Sequence, residues 1–580
     1  MASEKIVSPG VFTREIDQSQ LPAAVAAIGA AVIGPTVKGP AGIPTVVSSY
    51  SEFVAKFGST FTSGSGAAEQ TYKYLTNYTA EQYLKYADSL TVVRILDGTY
   101  SHATASILAS GSAEASFKLH TLSDGADQNS FGSEGTNGLL ENGTANNIRY
   151  EISNRNENKG TFTLSIRRGN DTNRRKVVLE QFNNVSMDPN SSNYIAKLIG
   201  DQVYTLRDSG GTDPYLQLSG SYPNQSNYVR VEVFKNAYNY LDENGAVRSD
   251  SLREIIPLDG TGSFGGASDG TVNHPKAMYE NITSTNVQGL TFSGTGNQGY
   301  QDAINLLKNQ DEYDINMLVL PGLADDNDNH AIEITRALNM CEDRGDCFLL
   351  IDPTLHGAAI STAISNADDR DSNYAAMYWP WIKIADPDLN KNVWVPASTV
   401  IPGVYAFNDR VAAPWFAPAG LNRGGIDAAV MAERKLTQTN RDDLYDANIN
   451  PIASFPNSGV VAYGQKTLQK RPSALDRVNV RRLLIAAKKF VASSSKFLVF
   501  EQNTAVTRNR FKNIVNPYFE NVQQKQGLYS FKILMDETNN TSDVIDRNQL
   551  VGQIFLQPTR TAEYIIIDFN VLPTGASFPV

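Results

Sequence analysis

Five histidines and two cysteines are the residues from which a metal or redox centre would be built. His102, His120, His274, His330 and His356 are scattered along the chain, and none stands in an H-x-x-x-H or C-x-x-C-H pattern. Cys341 and Cys347 are spaced wrongly for a zinc or redox motif and read as structural thiols. Gly260, Gly262 and Gly265 match G-x-G-x-x-G. A dinucleotide site needs a helix after that turn to meet the pyrophosphate, and the residues that follow, ASDGTVNHP, read as loop. The run Asp325, Asp326, Asn327, Asp328, Asn329 suggests calcium. An EF-hand loop needs Gly at its sixth position and Glu at its twelfth. Counting from Asp326 finds Ala331 and Ala337 there, and counting from Asp325 finds His330 and Arg336. A solvated loop capping the next helix is the better reading, with a weak single-ion site as the alternative. Asp352 ends an apolar run, where open α/β sheets hold ligands, but no partner for it is identifiable and Asp-Pro is a plain turn signal. No catalytic, cofactor-binding or metal residue is assigned, and no cofactor is expected.

The bulk properties bound what else the chain can be. With 580 residues, 41% hydrophobic and 19% charged, it is globular and too long for one core. A net charge of -11 argues against binding nucleic acid or docking on an anionic membrane. So few cysteines fit synthesis in a reducing cytoplasm. Leu21–Pro35 is apolar, but it follows Glu15 and Asp17 rather than a basic stretch and is too short to span a bilayer. It reads as a buried strand, with no secretory signal and no direct membrane insertion.

The elements divide the chain into five parts. Residues 1–20 read as an extended arm. Residues 21–97 hold a strand at Ala30–Ile33, another at Thr45–Val47, a short helix ending near Gly58, a helix over Ala67–Tyr86 and a buried strand at Leu90–Leu96. Residues 98–301 are rich in Gly, Asn, Ser and Asp, and their apolar residues alternate, as in Phe162, Leu164, Ile166 and in Val229, Val231, Val233. That predicts one or two inserted antiparallel β domains. Residues 302–455 return to α/β character. Strand Ile315–Leu320, helix His330–Met340 and strand Cys347–Ile351 predict a βαβ unit with a parallel pair. All four tryptophans, Trp379, Trp381, Trp394 and Trp415, mark a dense core or a contact surface. Residues 456–580 carry helices over Ala474–Ser493 and Arg508–Lys525, then a strand-forming stretch at Tyr564–Val571 and a second extended arm. The fold class expected is an α/β core, a mixed sheet with helices built from both ends of the chain, with β-rich insertions and terminal arms.

Several stretches resemble the tail sheath proteins of contractile phages and related injection machines. They are SPGVFTRE (Ser8–Glu15), IGPTVKGPAGIPTVVSSYSEFVAKFG (Ile33–Gly58), VPASTVIPGVYAFNDR (Val395–Arg410) leading into APWFAPAGLNRGGI (Ala413–Ile426), NPIASFPNSGVVAYGQKTLQ (Asn450–Gln469), DRVNVRRLLIAAKKFV (Asp476–Val491), FLVFEQN (Phe497–Asn503) and the closing TAEYIIIDFNV. Their order from terminus to terminus makes the resemblance specific. It covers roughly 1–97 and 302–580 and does not extend to the β-rich middle.

The resemblance implies a non-enzymatic subunit that polymerises as stacked hexameric rings around an inner tail tube. Contraction of that array would drive the tube through the host envelope for genome delivery. Implied partners are further copies of itself, the tube protein, and baseplate and tail terminator proteins, but no nucleic acid. The implied location is the tail of a virion assembled in host cytoplasm. The arms would add strands to a neighbour's sheet through Val7, Val11 and Ile16 at one end and Tyr564, Ile565, Ile566, Ile567 and Phe569 at the other. Arg508, Arg510 and Lys512 would meet an acidic tube, and the basic run Arg477–Lys489 an acidic protein neighbour. The alternatives are the sheath of a related injection or secretion machine and, more distantly, an α/β enzyme using Asp352.

Overall fold

The structure, a computed structural model, describes residues 29–63, 70–111, 114–272, 282–326, 328–456 and 458–567. His274, Asn327, Phe569 and both terminal arms, with Val7, Val11 and Ile16, lie outside the described residues.

The runs with unbroken apolar character form a central mixed sheet. Its strands are β1 (Gly29–Gly34), β2 (Thr45–Val47), β3 (Leu90–Arg94), β4 (Ile315–Ala324), β5 (Phe348–Asp352), β6 (Ala375–Trp379), β7 (Ile449–Phe455) and β8 (Gly459–Ala462), in the order β2-β3-β1-β4-β5-β6-β7-β8. From β3 to β7 neighbours run parallel, and one antiparallel strand closes each edge. Parallel strands covered on both faces need no polar alternation, which is why β1 and β5 are buried at every residue. The sheet reaches Ala462, beyond the boundary at 455 that the sequence suggests.

Seven helices matter here: α1 (Tyr50–Phe57), α2 (Leu75–Leu84), α3 (Gln298–Leu306), α4 (Asp328–Arg344), α5 (Ala397–Val411), α6 (Val478–Ser495) and α7 (Ala505–Gln524). α4 joins the parallel pair β4 and β5, giving the βαβ unit. α2 and α5 approach closely at Gly403, where a Cβ would lie 2.7 Å from the Gln82 carbonyl oxygen. The helix expected over Ala67–Tyr86 starts only at Leu75. Before it, Gln70–Tyr72 pairs antiparallel with Phe61–Ser63, because Tyr72 and Tyr74 stack on Phe61 at centroid distances of 5.6 and 4.9 Å.

Strands between His102 and Ser263 form other, wholly antiparallel sheets around their own apolar core. Phe162, Leu164 and Ile166 are buried there, with Val229 and Val231, while Val233 is half-buried. Gly260 and Gly262 sit on the strand Gly260–Ser263, and the described residues 264–272 that follow form no helix. A third apolar core lies between α6, α7 and a hairpin of Leu528–Leu534 with Gln553–Pro558.

The crossings between these parts are pinned by polar contacts. Where the chain leaves the central sheet, Asp97 accepts from Asn297 Nδ2 at 2.6 Å and from Thr291 N at 2.6 Å, close to where the chain returns. Asn297 also caps α3. A ribbon of Val203–Arg207 and Tyr215–Ser219 reaches back to α3, with Ser209 Oγ and Gly210 N donating to Asp302 at 2.6 and 2.8 Å.

Candidate assembly surface

The closing segment is held through Thr561, which accepts from Gln465 Nε2 at 2.7 Å, and through Glu563, and Tyr564–Ile567 beyond them are exposed. Glu563 accepts from Arg477 Nε at 2.8 Å and Nη2 at 2.9 Å, from the Tyr445 hydroxyl at 2.9 Å and from Gln465 Nε2 at 3.1 Å. Burial alone would raise its carboxyl, but the bonds from Arg477 outweigh that and hold it below the usual carboxylate range. The next residues point into solvent: Tyr564, Ile565, Ile566 and Ile567 are between 67% and 87% exposed and pair with no strand among the described residues. Three consecutive isoleucines favour extended backbone. Leaving them in water forgoes roughly 25 cal/mol for each Å² of apolar surface that a partner could cover.

The nearby hairpin is incomplete in a matching way. Its two strands pair only with each other among the described residues, so both outer edges carry unmatched backbone groups. Tyr529 and Phe555 stand exposed on it. A two-stranded sheet is marginal by itself and gains from a further strand.

The basic residues divide by burial. On α7, Arg510 is exposed and Lys512 half-buried, but Arg508 is buried with only 6% exposed. Arg508 therefore offers no charge to a neighbour in this conformation. The cations of the Arg477–Lys489 run, expected to meet an acidic protein neighbour, are instead engaged within the chain. Arg481 bonds Asn373 and lies 4.1 Å over the Tyr374 ring, and Arg482 pairs with Asp409 over Tyr405. Lys489 pairs with Asp314 and Asp346 and donates to the Ile315 carbonyl. These contacts fasten α6 to the central sheet. Charge is nonetheless uneven: residues 470–571 hold 15 Lys and Arg against 9 Asp and Glu, and the rest holds 35 against 52.

The groups considered for catalysis occupy structural positions. Asp352 has a partner after all, since Ser398 N donates to it at 2.8 Å and Ser398 Oγ donates to its other oxygen. Pro396 gives α5 no side-chain cap, and Asp352 from β5 supplies one. Asp325 pairs with Arg370 at 2.6 Å, and no group of three or more His, Cys, Asp or Glu among the described residues is placed to hold a metal. Cys341 and Cys347 are buried, with free thiols. Trp379 and Trp381 are core residues that donate to Thr354, whereas Trp415 reaches across to the Lys525 carbonyl behind α7. No helix among the described residues is long and apolar enough to cross a membrane.

The phage tail sheath protein central domain matches residues 294–468, and the phage tail sheath C-terminal domain matches residues 470–571. The chain is 39% identical over 208 residues to the tail sheath protein of Vibrio phage KVP40, covering 36% of this chain and 30% of that protein. It is 36% identical over 252 residues to the tail sheath protein of Enterobacteria phage T4, covering 40% of this chain and 38% of that one. The chain thus spans about a third of the length of the curated relatives it matches. The crystal structure of a sheath tail protein from Listeria innocua shares the fold, with a TM-score of 0.51, 9% identity and coverage of 93% of this chain and 96% of that one.

Residues 294–571 thus match domains of the contractile phage tail sheath family, and the curated tail sheath proteins support the same family. Its relatives are structural tail proteins and not enzymes.

Proposed function

We propose that the chain is the repeating subunit of a contractile tail sheath that polymerises as stacked hexameric rings around an inner tube. On contraction the array drives the tube through the host envelope for genome delivery. The observation that carries this reading is the pairing of Glu563, clamped by Arg477, with the exposed run Tyr564–Ile567 in a chain whose residues 294–571 match sheath domains. An anchored, strand-forming run that pairs with no strand among the described residues is suited to completing the open hairpin of the next copy. Backbone hydrogen bonds at such a joint survive rotation of one copy against another. Head-to-tail joints that do not close give an open helix. The other strand donors are Val7, Val11, Ile16 and Phe569.

In this reading the basic C-terminal part faces the tube, with Arg510 and Lys512 touching an acidic surface. Exposed ion pairs contribute only about 0–1 kcal/mol each, which lets the sheath release the tube as it shortens. The antiparallel β domains within 98–301 face outward. Baseplate and terminator proteins bound the two ends of the array, and assembly takes place in host cytoplasm.

Electron microscopy of the purified chain tests this. Tubes or stacked rings with an open lumen are expected, and removal of residues 564–580, which leaves Glu563 in place, is expected to abolish them. Tubes of undiminished length from the truncated chain would overturn the proposed joint.

A further inference from the structure

His102 opens the strand His102–Leu108, and His120 lies on the adjoining strand Ala115–Asp124. His102 Nε2 stands 2.9 Å from His120 Nδ1, and His120 Nε2 stands 2.9 Å from Glu232 Oε2. On the far side, His102 Nδ1 is 3.9 Å from Asp124 Oδ1. One arrangement of protons satisfies these contacts. His120 donates from Nε2 to the Glu232 carboxylate, which leaves its Nδ1 bare to accept from His102 Nε2–H.

A hydrogen bond between two rings holds one proton. A first added proton goes to His102 Nδ1, facing Asp124, and leaves the bond intact. A second must enter at His120 Nδ1 and sets two N–H groups against each other. Arg230 and Glu232 on strand Val229–Val233 face the pair, as do Lys118 and Asp124 on the strand of His120. Burial, then the Arg230 cation, push His120 down to about 4, and the same two causes lower His102.

Asp124 links the pair to the central sheet. Its Oδ2 accepts from Ala41 N at 2.9 Å, its carbonyl accepts from the buried Arg94 at 2.8 Å, and its N donates to the Gly39 carbonyl at 3.1 Å. Gly39 and Ala41 lie in the loop between β1 and β2.

We propose that the His102–His120 pair is an acid-sensitive fastener, whose second protonation breaks the ring–ring hydrogen bond and loosens the antiparallel β part from a central sheet that stays folded. The sign follows from linkage. Folded values below the ordinary 6.5 mean that the unfolded segment takes up protons the folded one refuses. The contribution is complete above 6.5 and is lost as pH falls toward about 4.

Hydrogen exchange followed by mass spectrometry on the full chain, at about pH 7.5 and about pH 4.5 and corrected for the intrinsic rate, tests this. Segments 102–124 and 229–233 are expected to speed up by about tenfold or more at the acid pH, while β4 and β5 barely change. The His102→Gln/His120→Gln double variant keeps polar groups that do not titrate, and is expected to speed up by less than about threefold. Equal acceleration in β4 and β5, or as much in the double variant as in the natural chain, would overturn the proposal. If the double variant does not fold, histidine NMR on the natural chain decides. Two rings titrating in separate steps below 6.5 support the fastener, and a single step at 6.5 overturns it.

Discussion

Arg477 and Glu563 meet fork to fork, two parallel N–H···O bonds of 2.8 and 2.9 Å joining the start of α6 to the last anchored residue before the exposed isoleucines. Two-point bonds fix direction as well as distance. The pair therefore sets where Tyr564–Ile567 leave the surface.

Arg477→Ala is expected to cost the isolated chain only about 1 kcal/mol in a urea melt, because the pair is partly solvated. Polymer yield by sedimentation is expected to fall much further. The exchanged pair Arg477→Glu/Glu563→Arg is expected to recover part of that yield. Full polymer yield from Arg477→Ala would sink the anchoring role.

Gly403 faces the Gln82 carbonyl with room for a hydrogen and nothing larger. Gly403→Ala must push α5 from α2, at a cost of about 1–3 kcal/mol in chemical denaturation. An unchanged midpoint would mean that the two helices are not tightly packed.

Asp352 carries a pH dependence of opposite sense to an ordinary paired carboxylate. Burial pushes it up to about 7, against the two Ser398 bonds that favour the charged form. A carboxyl raised in the folded state stabilises below its unfolded value of 3.8, and that contribution is lost as pH rises toward about 7. Thermal melts of the natural chain are expected to weaken between about pH 5 and pH 8 more than those of Asp352→Asn. Parallel profiles for the two chains would refute this.

Much of the central sheet is legible in LTVVRIL, INMLVL and CFLLI, because strands covered on both faces must be apolar throughout. The strand at Gln70–Tyr72 is not legible, since its aromatic stacking on Phe61 is a tertiary contact that overrides local helical spacing. Nor are the partners of isolated polar residues. Ser398 meets Asp352 through strand order and helix placement, and His120 meets His102 through register between paired strands. The basic face of α6 shows the same limit, for a sequence states charge but not that Asp409 and Asp314 lie within reach. The Tyr564–Ile567 run reads as strand-forming in the sequence, but its exposure and its anchor at Arg477 are not legible there.

Arg510→Glu inverts the exposed charge on α7 without touching the buried Arg508. Affinity for the tube protein, measured by co-sedimentation at low salt, is expected to drop several-fold, with sheath-to-sheath assembly intact. Undiminished tube binding would remove Arg510 from that contact.

The hydrogen bond between Asp97 and Asn297 has a practical corollary. Asp97 also accepts at its backbone carbonyl from Thr271 N at 3.0 Å, so the two ends of the stretch 98–270 sit side by side and make it a plug-in module on a two-pin socket. A foreign domain whose own termini lie close together could be exchanged there without stretching the central sheet. A short glycine-serine bridge across the same gap would yield a trimmed subunit, and in the proposed sheath either variant would be a frame for displaying cargo at regular intervals.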